Sequence, residues 1–362
     1  MASSQLLTKI RNFSDKFQTV KLAQKIFFVQ QLGIMVKTGI SMSVALKTLA
    51  EQTTTKNFKK ILFDLQQQVE KGNLLSKGLE KYQRIFGDLF VNMIKAGEAS
   101  GKLEDVLRQL FIQMKKDHDI VAKVRGAMIY PAIVIIMMLV IVTLMMIYVI
   151  PSISSVFKEI NVPLPFATRM MIGLSDFVVS KGLYILVALA ILGICFWLVI
   201  KSPKGKRILH QIILALPIAG AIIKKVNLAR FCRTLSSLLK TDIPIVQSFE
   251  ITAKILGSLP YKESLLAAKE QIKKGVSVEQ SLRPYIKFFP PVVLQMISVG
   301  EETGTLDEIL EESAVFYEDE VNQTMNDLPT IIEPVLMVIL GVGVGGIAVA
   351  VIMPMYSLSQ QL

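Results

Sequence analysis

The sequence predicts an all-α membrane protein, with two tandem repeated helical-bundle cytoplasmic domains and three transmembrane helices. Three observations lead there. The 362-residue chain is 52% hydrophobic with a mean hydropathy of +0.52, and the excess is concentrated in runs at 129–150, 183–200 and 331–353. Each run approaches the roughly 20 apolar residues needed to span a hydrocarbon core. A constant offset of 203 residues superimposes one half of the chain on the other. Strand signals are absent: there is little period-2 alternation and no hairpin dipeptide between β-branched runs.

In chain order, 1–24 reads as a polar cytoplasmic tail without the apolar core of a secretory leader, so no cleavage is expected. Residues 25–128 form a first cytoplasmic domain, with helices predicted at 28–37, 43–53, 56–71, 75–82, 86–98 and 103–127. Thr38-Gly39 closes the first of these, glycine being suited to a left-handed C-terminal cap. A transmembrane helix at 129–150, an external loop at 151–182 and a second transmembrane helix at 183–200 follow. A connector at 201–227 leads to a second cytoplasmic domain at 228–330, a third transmembrane helix at 331–354 and an external tail at 355–362.

Basic residues set the orientation, because they are retained on the cytoplasmic side of a span. Lys115, Lys116, Lys123 and Arg125 precede the first run, and Lys201, Lys204, Lys206 and Arg207 follow the second. Only Lys158, Arg169 and Lys181 lie between them. The N-terminus and 201–330 are therefore inside. A net charge of +11 comes with no nucleic-acid motif, so attraction to anionic membrane lipid is its simpler account. Cys195 and Cys232 suggest packing rather than a disulfide framework.

The repeat is gapless. Phe28, Leu32, Lys37 and Thr38 correspond to Phe231, Leu235, Lys240 and Thr241, and Phe86, Pro131 and Pro151 to Phe289, Pro334 and Pro354. Its sharpest segment, Gly97-Glu98-Ala99-Ser100-Gly101-Lys102-Leu103, returns as Gly300-Glu301-Glu302-Thr303-Gly304-Thr305-Leu306. A glycine pair framing a carboxylate between apolar helices supplies a tight turn where a side chain would clash. Thr305 and Glu308 have capping-box spacing, and Glu104 and Asp105 place acid where the helix dipole favours it. Turn chemistry explains each residue type; the alternatives are a partner contact through Glu98 and Glu301, or a cation held with Asp105 or Glu308. The segment lacks the spacing of a phosphate-binding loop.

With the G-E-x-[ST]-G-x-L motif present twice, each copy ahead of a span, the chain resembles the type IV pilus platform and type II secretion F family over residues 25–357. The resemblance implies a non-enzymatic inner-membrane platform that couples a cytoplasmic hexameric ATPase to insertion or removal of pilin or pseudopilin subunits. It also implies other inner-membrane assembly proteins as partners, self-association into a homo-oligomer, and no cofactor. The rival classes are an oligomeric transporter or channel and a membrane enzyme. The runs carry no paired intramembrane acids that a protease of pilins would need, and His118 and His210 are isolated.

Two further features call for a partner. Gly341 and Gly345 have the G-x-x-x-G spacing of close helix packing, within the chain or between chains. Residues 28–128 hold 16 Lys and Arg against 10 Asp and Glu, net +6, whereas 231–331 hold 9 against 15, net −6. Either the exposed faces drifted in charge, or Lys115, Lys116 and Lys123 face one partner and Glu311, Glu312 and Glu318 another.

Overall fold

The computed structural model describes residues 20–152, 155 and 166–359. Most of the tail at 1–24, the centre of the loop at 151–182 and the end of the tail at 355–362 lie outside them. Among the described residues every regular element is helical.

The first repeat comprises α1 (Leu22–Lys37), α2 (Met42–Gln52), α3 (Lys56–Glu70), α4 (Leu75–Glu80), α5 (Gln83–Phe86), α6 (Asp88–Ser100) and α7 (Leu103–Leu144). After α8 (Phe166–Lys201) and α9 (Pro203–Ala215), the second comprises α10 (Pro217–Leu239), α11 (Ile245–Ile255), α12 (Leu259–Ile272), α13 (Val278–Leu282), α14 (Pro291–Thr303) and α15 (Leu306–Ser359). The bounds of α2 and α11, and of α6 and α14, differ by the same 203 residues that relate the sequences.

Local chemistry explains the breaks. The amide of Gly39 bonds to Val36 O and that of Ile40 to Met35 O, both at 3.0 Å, with Gly39 at φ 78°. This is the double bond pattern of a left-handed helix stop. Asp242 takes the same backbone form in the second repeat at φ 60°, a conformation open to a short polar side chain.

The chain divides into two compact units. One contains the residues up to Val121 together with His210–Val321; the other contains Ala122–Leu209 and the residues from Asn322 on. The two helical repeats, as far as Val121 and Val321, thus share the first unit. Each has an aromatic centre: Phe28 meets Phe58 and Phe86 at 5.7 and 6.0 Å between ring centroids, and Phe231 meets Phe249 and Phe289 at 6.2 and 5.0 Å. The hydroxyl of buried Tyr261, the counterpart of Phe58, is satisfied by donating to Phe288 O at 3.1 Å. Leu238, Ile243 and Ile251 of the second repeat join the core of the first, so the repeats are packed through apolar side chains.

In the second unit, α7 passes through Pro131 and ends in a π-helical turn, Met145–Val149. The Ser175 hydroxyl donates to Met146 O there, at 2.5 Å. Among the described residues two helices, Leu103–Ser152 and Leu306–Gly346, are long and apolar enough to cross a membrane. The run at 183–200 lies in α8, which is broken by non-helical backbone at Lys181. A bent pair, Arg207–Ala215 and Pro217–Leu239, also passes on apolarity, with a 110° angle between its arms. Its second arm carries Arg230 and Arg233, both ion-paired to acids of the same unit, which marks α10 as part of the packed repeats.

Candidate functional site

The repeated turn is built twice with the same geometry. Glu98 sits on α6, and its carboxylate accepts the amides of Leu75 and Ser76 at 2.6 and 3.0 Å. Glu301, on α14, accepts those of Val278 and Glu279 at the same two distances. Each carboxylate therefore closes the start of a short helix 22 to 23 residues upstream, where unpaired amides and the helix dipole favour negative charge.

The glycines divide into two roles. Gly101 and Gly304 lie at φ 69° and 73°, where an L side chain is strained. Gly97 and Gly300 are helical and are not turn residues, as the sequence spacing had suggested. A methyl on Gly97 would stand 2.9 Å from Val106 Cγ2, and one on Gly300 would stand 2.9 Å from Leu306 Cα. They are the points at which the helices before and after the turn touch. Leu103 and Leu306 open α7 and α15 just beyond it.

Other expectations at the turn are revised. The Thr305 hydroxyl lies 2.7 Å from that of Thr303, so the capping-box pairing with Glu308 gives way to a hydroxyl pair. Lys102 reaches across to Asp242 at 2.7 Å, and that hydrogen bond holds its ammonium above the usual lysine range. Among the described residues no three His, Cys, Asp or Glu side chains converge to hold a metal ion. Asp105 lies 3.6 Å from Arg108, Glu308 is exposed, and the Glu98 and Glu301 carboxylates are engaged with backbone amides.

The face between the repeats is the second feature, and residue spacing did not reveal it. Gln113 of α7 is buried; it donates to the Thr234 hydroxyl at 3.0 Å and accepts from Ser237 at 3.3 Å. Asp117 accepts from Arg230 Nε at 2.6 Å, and Gln247 donates to Asn92 at 3.3 Å. Beside them Glu318 is only 4% exposed. It accepts Arg233 Nε and Nη2 at 2.7 and 3.0 Å, and Lys116 of the first repeat stands 3.0 Å away. Glu311 bridges Arg233 and Lys240.

These placements correct the reading of two outward-facing charged surfaces. Glu318 is interior, Glu311 is engaged within its own repeat, and Lys116 binds the other repeat. Part of the contrast between the +6 and −6 halves is thus consumed within the chain. Among the described residues Lys115, Lys123 and Glu312 are exposed without a contact to the other repeat, and Lys116 is exposed on its outer side. The sequence signal available was Arg233, a basic residue whose counterpart in the first repeat is the neutral Gln30.

His210 is not an isolated surface residue: its Nδ1 accepts the Leu259 amide at the start of α12, at 3.1 Å. Cys232 is fully buried, and burial pushes its thiol up to about 12, so it packs rather than reacts. A methyl on Gly341 or Gly345 would meet no atom within 4 Å.

The family model described as type II secretion system, protein F, matches this chain twice, at 28–151 and 231–354. A type IV pilus assembly protein PilC from Pseudomonas aeruginosa is 34% identical over 332 residues, covering 91% of this chain and 88% of that one. The PilC of Myxococcus xanthus is 32% identical, covering 92% and 79%. A type II secretion system protein F from Aeromonas hydrophila is 30% identical, covering 92% and 86%.

Proposed function

Because the chain belongs to the type II secretion system protein F family, we propose that it is the inner-membrane platform of a type IV pilus or type II secretion machine. It couples a cytoplasmic hexameric assembly ATPase to insertion or removal of pilin or pseudopilin subunits, beside other inner-membrane assembly proteins. It works as a homo-oligomer and turns over no substrate of its own. The observation that carries this reading is the twofold match to the family model in the same 203-residue register as the helices. Deleting the gene in its source organism is expected to abolish surface pili or secretion, and the purified chain to bind the ATPase without hydrolysing ATP. Normal pili and normal secretion in the deletion strain would rule the reading out.

The same reading gives a multi-pass protein with spans at 129–150, 183–200 and 331–354 and both repeats in the cytoplasm. Support comes from the two long apolar helices and from the basic residues flanking the first two runs. Cysteines placed at Ser155 and at exposed Glu270, with Cys195 replaced by Ser, are expected to react with an impermeant maleimide from opposite sides. The buried thiol of Cys232 stays silent. Ser258, although in the same region as Glu270, is buried and unsuited to labelling. Labelling of both sites from one side would overturn the three-span arrangement.

A further inference from the structure

The repeats are near-copies, so every residue at their contact has a counterpart 203 positions away, and the contact can be tested for symmetry. The first repeat contributes α6 and the start of α7, through Asn92, Lys102 and Gln113. The second contributes a largely different set, α10 and α11 through Arg230, Ser237, Asp242 and Gln247, with Glu318 of α15 at its edge. Twofold pairing would also bring Ile34 against Phe316, the counterparts of Ser237 and Gln113. Both are exposed. The contact is therefore heterologous, and it leaves one face of each repeat unused.

The unused faces are the more apolar ones. Ile243 is 4% exposed at the contact, while its counterpart Ile40 is 41% exposed. Gln113 is 4% exposed, while its counterpart Phe316 is 54% exposed. Ser237 and Gln247 are replaced in the first repeat by exposed Ile34 and Val44, and Ala96 in the second by exposed Val299. Solvent alone would favour the opposite exchange. A patch of large apolar side chains on each of two faces marks surfaces that are covered in use.

Charge follows the same transposition. Lys116 of the first repeat pairs with Glu318 of the second at 3.0 Å. Their counterparts are Asp319 and Lys115, again of opposite sign but exchanged between the repeats, and both are exposed. The Lys102–Asp242 ion pair gives way to uncharged Thr305 and Gly39, and the Asn92–Gln247 hydrogen bond to Gln295 and Val44.

We propose that the occupant of the unused faces is a second copy of this chain, bound head to tail. The α14–α15 face of one chain, with Val299, Phe316 and Asp319, docks on a face of the next made by α1, the turn into α2 and α7, with Ile34, Ile40 and Lys115. The join between chains repeats the join within a chain. This deepens the self-association in the proposed function and rests on that part of it alone.

The test uses full-length, differently tagged chains in membranes, all with Cys195→Ser. One carries Ile34→Cys and the other Phe316→Cys. Both positions are exposed, so folding is preserved, and a Gln113→Cys, Ser237→Cys chain that cross-links internally verifies that the repeats are packed. The expected product joins 34 to 316. Lys115→Asp should lower its yield about twofold to fivefold at low salt, the range for an exposed ion pair, and Asp319→Lys on the other chain should restore it. Products joining 34 to 34 or 316 to 316, capture of a different protein at 316, or no product while the internal cross-link forms would each overturn the proposal. None of these readouts depends on pili or secretion, so their failure leaves the platform reading standing, and loss of that reading leaves the contact testable.

Discussion

Glu318→Ala is expected to destabilise the packed repeats by about 3–5 kcal/mol, the range for breaking one side of a buried ion pair. Glu318 holds Arg233 through two hydrogen bonds and Lys116 through a third contact, and both Glu318 and Arg233 are buried. Without it Arg233 keeps only Glu311, at 3.3 Å, which it shares with Lys240, and Lys116 loses its contact. A buried charge short of partners is expensive because water cannot solvate it. Glu312→Ala, on an exposed neighbour, should change stability by no more than about 0.5 kcal/mol. Thermal unfolding of the full chain in detergent, monitored by circular dichroism, separates the two. Equal melting of the Glu318 and Glu312 variants would show that the ion pair does not hold the repeats.

Gly300→Val is expected to have the next largest effect, about 1–3 kcal/mol from overpacking. Its first added carbon would lie 2.9 Å from Leu306 Cα, a backbone atom that cannot rotate away, with Leu306 Cδ1 at 3.2 Å and Ile309 Cβ at 3.4 Å behind it. The helices α14 and α15 must separate or bend. Gly304→Val acts differently, through a left-handed backbone at φ 73° with open space around it, and should cost about 1–2 kcal/mol. Glu301→Gln keeps one acceptor for the start of α13 and is the mildest of the three. The ranking is read from melting temperatures of the full-length variants. Wild-type melting of Gly300→Val would mean that the helices do not meet at this point.

The helices, the repeat, the apolar runs and the turn are legible in the amino-acid sequence. Each is written in local terms: the apolar period from 28 to 37 sets a helix face, Gly39 and Gly101 mark positions where the chain reverses with φ above 0°, and the uncharged run after Ile129 is long enough to span a bilayer. The sequence also singled out Glu98 and Glu301, though not their partners, because the amides they bind carry no side-chain signature.

Which charges are spent inside the molecule follows from the packing of the repeats. Lys115 and Lys116 are the same residue type side by side and both reach solvent, yet only Lys116 stands against Glu318. Arg233 and Glu318 are 85 residues apart, so no helical period links them. A glutamate on an exposed helix face and one closing a buried ion pair read alike in sequence. What separates them is which faces of two near-identical repeats come together, and that is set by summed packing over many side chains rather than by any local residue pattern.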